Sequence, residues 1–225
     1  SAKDPDIFFR RALLWSDQEE FDKAIADYDR AIALNSSMAA AYSYRGSAYA
    51  KKGDRVKAVA DLDRALKIEP KNADLYENRA AFYRLSAEYE RALADSDKAI
   101  ALAPTSSSYM ERAKIWLAKG DLDKALADAD QAVKSEVGTI WSRFRRGVIY
   151  RYRGEYDRSI SDFDELLRRE PYDAETYVER GRTFEKKGDL ARARADFERA
   201  LKERGTGFKS AHADARAQLA ALDAP

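Results

Sequence analysis

From residue 39 the chain reads Tyr42-x-x-Arg45-Gly46-x-x-Tyr49, then Lys52-Gly53-Asp54, then Asp61-Leu62-Asp63-x-Ala65-Leu66, and closes at Pro70. The same phrase recurs across residues 5–207 of the 225-residue chain. Copies beginning at residues 5, 39, 73, 106, 140 and 174 align, with spacings of 34, 34, 33, 34 and 34. Such a period marks a stack of small supersecondary units, each unable to bury its apolar face alone. Position 11 of each copy is aromatic: Trp15, Tyr49, Tyr83, Trp116, Tyr150 and Phe184. Position 8 is always Ala or Gly, and positions 20 and 27 are Ala in five copies each. Apolar residues at positions 4, 8 and 11 form one helical stripe, and those at 17, 20, 24, 27 and 28 form a second. Between the stripes, Gly53, Gly120, Gly154 and Gly188 suit a left-handed helix end. Pro70, Pro104 and Pro171 forbid the second helix to continue. Each copy is therefore expected to be a helical hairpin, with small residues letting neighbouring helices approach.

The pattern of aromatic, small, aromatic, Ala and Pro positions closely resembles the tetratricopeptide repeat (TPR) family. The resemblance implies an all-α fold: a right-handed superhelical solenoid of antiparallel helix hairpins. On that expectation residues 1–225 form a single solenoid, with repeats 5–38, 39–72, 73–105, 106–139, 140–173 and 174–207. After Gly205-Thr206-Gly207, the residues Phe208, Ala211, Ala215, Leu219 and Leu222 recur at helical spacing. They predict a capping helix over 208–222 that covers the open face of the last repeat.

Composition removes several chemistries. The 41 Lys+Arg against 40 Asp+Glu leave a net charge of +1, so no uniform basic field exists for nucleic acid or an anionic membrane. There is no cysteine and a single histidine, His212, which excludes disulfides, thiolate sites and an imidazole pair for zinc. No phosphate loop, metalloprotease motif or nucleophile elbow occurs. The chain thus reads as a non-enzyme without cofactor or metal, and His212 on the cap as a solvated side chain. No apolar run is long enough to span a membrane. The chain begins at Ser1, and the expectation is a soluble protein, either cytoplasmic or exported after loss of a leader.

Position 7 is arginine in every copy (Arg11, Arg45, Arg79, Arg112, Arg146, Arg180), and position 23 is aspartate (Asp27, Asp61, Asp95, Asp128, Asp162, Asp196). One reading is a ladder of cations for an acidic ligand. The reading preferred here is structural, each arginine pairing with an aspartate on a packed helix.

The family resemblance implies a concave groove lined by first helices at positions 2, 5, 6, 9, 12 and 13. Of the 25 aromatic residues, 17 occupy core phases, and the out-of-phase remainder concentrates in the fifth copy. Its groove face reads Trp141, Phe144, Arg145, Val148, Arg151 and Tyr152, extended by Met110, Lys114 and Leu117 before it and Val178 and Arg182 after it. Tyr44 is a further aromatic at a groove position. Tryptophan, tyrosine and arginine dominate binding hot spots. The expectation is a protein-interaction scaffold or adaptor that holds a peptide or partner segment, centred on repeats 4–6. A second reading seats Trp141 in the joint between copies four and five, because position 4 of the fifth is Arg143 and position 32 of the fourth is Val137. A third makes the chain a structural or self-assembling solenoid, with repeat 5 or a terminal face as a homo-oligomer contact. The carboxylate clamp of chaperone-binding relatives is absent: its positions, from the second copy on, hold Ser43, Ser47, Asn78, Ser107 and Glu111. Glu111, Glu175 and Glu179 flank the aromatics and arginines and argue against single-stranded nucleic acid.

Overall fold

The computed structural model describes residues 4–135, 139–203 and 208–223. Val137 and Gly205-Thr206-Gly207 lie outside the described residues, as does the side chain of Phe208. Contacts divide the chain into two compact units, residues 1–104 and 105–225. The first unit holds α1 (Pro5–Asp17), α2 (Phe21–Leu34), α3 (Ala39–Lys51), α4 (Arg55–Ile68), α5 (Ala73–Leu85) and α6 (Tyr89–Leu102). The second holds α7 (Ser106–Lys119), α8 (Leu122–Lys134), α9 (Thr139–Tyr152), α10 (Tyr156–Arg169), α11 (Ala174–Lys187), α12 (Leu190–Ala200) and α13 (Phe208–Leu222). The described residues contain no strand. No helix among them is long and apolar enough to cross a membrane.

The helices pair within each copy, first against second, and within each unit the second helix of one copy packs on the first of the next. Local chemistry sets the boundaries. Pro5 opens α1 at a position whose N–H would be unpaired anyway. Asp54, Asp121 and Asp189 accept the N–H three residues on and cap α4, α8 and α12. Thr105 and Ser108 form a reciprocal capping box at α7. The expected left-handed glycines follow the first helices, with φ between 78° and 88° at Gly53, Gly120, Gly154 and Gly188. In copies one and three the same position carries Glu19 (φ 60°) and Ala87 (φ 59°), where a Cβ is strained.

The small residues at positions 8, 20 and 27 are fully buried where helices touch. Gly181 shows why: a Cβ there would lie 2.6 Å from Cε1 of Phe197, and one at Gly147 would lie 3.0 Å from the Phe163 ring. Large rings at position 24 of the fifth and sixth copies thus sit directly against glycine at position 8, whereas the first copy pairs Tyr28 with Ala12. In the third and fourth copies the pairing is reversed, with Ala80 and Ala113 matched to Ser96 and Ala129. Ala211 and Ala215 of α13 join the Phe184, Ala193 and Phe197 cluster, with Leu219 and Leu222 against it. His212 is half-buried and its Nε2 lies 2.7 Å from the Glu203 carbonyl. It ties the cap to the end of the last repeat, so the expectation of a merely solvated histidine is corrected.

Candidate functional site

The arginine–aspartate register is a structural ladder. In all six copies the Nε and Nη2 of the position-7 arginine grip both carboxylate oxygens of the position-23 aspartate at 2.6–2.8 Å. Such bidentate forks are the strongest geometry available to the pair. A further leg is visible only in three dimensions. Nη1 of Arg45, Arg79, Arg146 and Arg180 donates to Asp29, Asp63, Asp130 and Asp164 at 2.5–2.9 Å. Those aspartates stand at position 25 of the preceding copy, so one guanidinium fastens two hairpins. Removing the partly buried Arg79 strands Asp95 and costs about 3 kcal/mol. The two ends of the ladder differ. At Asp27 the hydrogen bonds from Arg11 win and hold the carboxyl below its ordinary value. At Asp196 burial outweighs the Arg180 fork and lifts it.

A second register escaped the sequence reading. The cation at position 19 lies over the position-11 aromatic in every copy: Lys23 on Trp15, Lys57 on Tyr49, Arg91 on Tyr83, Lys124 on Trp116, Arg158 on Tyr150 and Arg192 on Phe184, at 4.3–5.8 Å. The cations at position 19 hold a fixed phase that repeat counting alone could have found. They account for the aromatics at that phase without any ligand.

The second unit holds most of the candidate binding residues, and it sorts them into floor and rim. Met110, Phe144 and Val178, expected on an exposed groove, are buried. Phe144 meets Phe163 edge to face at 5.7 Å and clusters with Leu166. Met110 packs with Ile149 of α9, and Val178 with Ala174 and Ile160. Position 5 is therefore taken up by interior packing in these copies, which corrects the expectation for all three. Several expected cations are likewise engaged. Arg151 donates to Glu179 at 2.7 Å, and Glu179 also receives Arg182, whose other nitrogen reaches Asp214 at 2.9 Å. Lys114 pairs with Glu111 at 3.0 Å. Arg151 Nε is buried with no hydrogen-bond partner.

Trp141 stays on the rim. It is 60% exposed, touching Phe144 edge-on at 6.1 Å. It does not fill the joint between copies four and five, which corrects that alternative. Arg143 takes up the missing aromatic position differently, donating to Asp162 at 3.3 Å beside Arg146. A buried Ser106–Ser142 contact of 2.6 Å helps close the joint. Tyr152 is exposed at the far end of α9, under the Arg151 guanidinium, on an open cleft of about 520 Å³ that Gly120, Leu122 and Arg153 also line. Trp141, Arg145, half-buried Val148 and Tyr152 are spaced by 4, 3 and 4 residues and so share one stripe of α9. The stripe spans roughly 16 Å. Glu175 of α11 faces Arg145; burial raises its carboxyl, the neighbouring Asp173 adds to that, and Arg145 opposes both. In the first unit Tyr44 is exposed and packs with Phe9 and Tyr28, with ring centroids 5.6 and 6.4 Å away. No cluster of His, Asp or Glu disposed to hold a metal ion occurs among the described residues.

Comparison with known proteins matches tetratricopeptide repeat models to residues 144–207, 39–72 and 62–94, and a TPR repeat model to residues 16–53. No curated protein sequence matches the chain. Among solved structures, a tetratricopeptide repeat protein from Parabacteroides merdae is similar with a TM-score of 0.75 at 21% identity, covering 96% of this chain and 87% of that one. PilW, a type IV pilus biogenesis factor, gives 0.80 at 17%, covering 96% and 98%. YrrB, a TPR protein with an unusual peptide-binding site, gives 0.59 at 19%, covering 86% and 97%. These identities speak for the fold. With the repeat phase, the hairpins and the four matched segments in agreement, the chain belongs to the tetratricopeptide repeat family.

Proposed function

We propose that this protein is an interaction scaffold that presents the outer stripe of α9, in the fifth repeat, to a peptide or partner segment. The observation that carries this reading is Trp141: a tryptophan left largely open to solvent, resting edge-on against Phe144. Arg145, Val148 and Tyr152 continue the same stripe, and Met110, Phe144 and Val178 form the rigid floor behind it. A tryptophan and a tyrosine on one rigid helix supply large contact area with little entropy to lose. The buried floor makes the stripe a preorganised surface. Two structural neighbours support a binding role in general, one named for a peptide-binding site and one for pilus biogenesis.

The test is selection of peptides from a display library on the immobilised chain, followed by titration of Trp141→Ala and Tyr152→Ala. Both side chains are mostly exposed, so stability should change by less than about 0.5 kcal/mol. Loss of a central aromatic should weaken a selected peptide by about 2 kcal/mol or more. Phe144→Ala is the internal contrast and should cost about 3 kcal/mol of stability. If selected peptides bind both exposed-site variants as tightly as the parent, the stripe is not the site. If instead Trp141→Ala dissolves a concentration-dependent dimer seen in light scattering, the stripe belongs to self-assembly.

A further inference from the structure

Three of the four cations expected on the groove of the second unit are already engaged. Arg151 is held by Glu179, Arg182 by Glu179 and Asp214, and Lys114 by Glu111. Arg145 differs. It is exposed on the α9 stripe between Trp141 and Val148, and it makes no ion pair with a carboxylate among the described residues. Its guanidinium lies 5.9 Å from the centre of the Phe144 ring. The buried floor thus steadies the charge without neutralising it. Glu175 of α11 acts on Arg145 from a distance and does not pair with it. Burial, Asp173, Glu179 and Asp214 all favour the neutral form of that carboxyl, and Arg145 opposes them. The positive charge on the stripe is therefore left poorly balanced by its surroundings.

We infer that the α9 stripe selects an acidic segment: an extended peptide whose Asp or Glu pairs with Arg145, with an apolar side chain two residues to either side. This rests on the reading of the stripe as the binding surface. An unengaged guanidinium offers a carboxylate the same two-pronged fork that each ladder arginine gives its aspartate. The spacing fits. Along the helix Trp141 stands about 6 Å before Arg145, and Val148 and Tyr152 stand about 4.5 and 10.5 Å after it. An extended chain sets every second side chain on one face, about 7 Å apart. With its acid on Arg145, one apolar neighbour falls on Trp141 and the other between Val148 and Tyr152. A basic segment fits less well. Its cation would have to reach the half-buried Glu175 while passing the open Arg145.

The probe is a display library of short peptides with a randomised central residue and Leu, Ile, Phe or Tyr two places before and after it, selected on the immobilised full chain. Asp and Glu should be enriched at the centre, and Arg145→Glu in the protein should turn the enrichment to Lys and Arg. An enriched peptide, labelled and titrated by fluorescence anisotropy, should bind Arg145→Gln about tenfold more weakly. It should bind Glu175→Gln roughly threefold more tightly, because a competing acid is gone. Circular dichroism checks that both variants fold, and an effect of opposite sign at the two sites is not what a general loss of structure produces. Peptides that need Trp141 but carry no central acid, or a basic one, or bind Arg145→Gln as well as the parent, overturn the inference and leave the stripe as the binding surface. Peptides indifferent to both Trp141→Ala and Tyr152→Ala, or no enrichment at all, remove the stripe and the inference together.

Discussion

The turn after each first helix sets one residue in the left-handed region, where only glycine escapes a clash between Cβ and the following carbonyl. Four copies use glycine there; copies one and three use Glu19 and Ala87. No heavy atom would approach within 4 Å of a Cβ at Gly53, Gly120, Gly154 or Gly188, so the cost at this position is conformational and not one of crowding. Ala87→Gly should therefore stabilise the protein by about 1 kcal/mol, which thermal unfolding would register as a rise of roughly 2–4 °C. Gly120→Ala should move the melting temperature the other way by a similar amount. If Ala87→Gly lowered it, the turn would be held by something other than backbone strain. The repeat register placed this turn correctly from sequence, because glycine recurs at one phase. It did not reveal whether Glu19 and Ala87 change the turn or endure it. That depends on the hairpin packing, which here keeps the same turn and accepts the strain.

Helix ends and helix faces were legible to different depths. The caps could be read from single residues, since Asp54, Asp121 and Asp189 each precede a second helix, and they make a pH prediction. Asp54 is held below its ordinary value first by the Lys57 N–H and then by the Lys57 ammonium. At Asp121 and Asp189 the side chains of Lys124 and Arg192 lead, with the backbone N–H second. A carboxylate depressed in the folded state stabilises above its unfolded pKa, and that contribution is lost as pH falls through the folded value, below about pH 4. Asparagine caps without ionising. Melting the triple Asp→Asn variant at pH 7 and near pH 3 should show a smaller acid-induced drop than the parent, and an undiminished drop would remove these caps from the acid response. Faces were harder. Periodicity put Trp141 and Phe144 on one side of α9, but the depth of each depends on a ring from another helix. Phe163 of α10 draws Phe144 in, room for that ring comes from Gly147, and Trp141 near the helix start stays out. The six Arg–Asp pairs were visible as a register because both partners lie in one copy. The third contact, from Nη1 to position 25 of the copy before, links separate copies and appears only once helices are stacked.

At the scale of the chain, stability in a repeat protein is a sum of hairpins and joints, and terminal faces decide solubility. Each compact unit contains three hairpins, about the number at which stacked repeats begin to hold together. Residues 1–104 and 105–225 made separately should therefore each be helical by circular dichroism and melt cooperatively. They should not be equal. The second unit carries its own cap, in which Leu219 and Leu222 lie against the Phe197 cluster. The first opens on α1 with Ile7 and Leu14 bare. The fragment 105–225 should accordingly melt higher than 1–104, and equal melting temperatures would mean that α13 adds no stability. Deleting residues 208–225 tests the cap directly. The two half-buried leucines and two buried alanines of α13 should together be worth on the order of 3 kcal/mol, and their loss should also free His212's tie to Glu203. A truncated unit as stable as the parent would mean that α13 covers the last repeat without supporting it. Its apolar stripe would then need another explanation, most simply solubility.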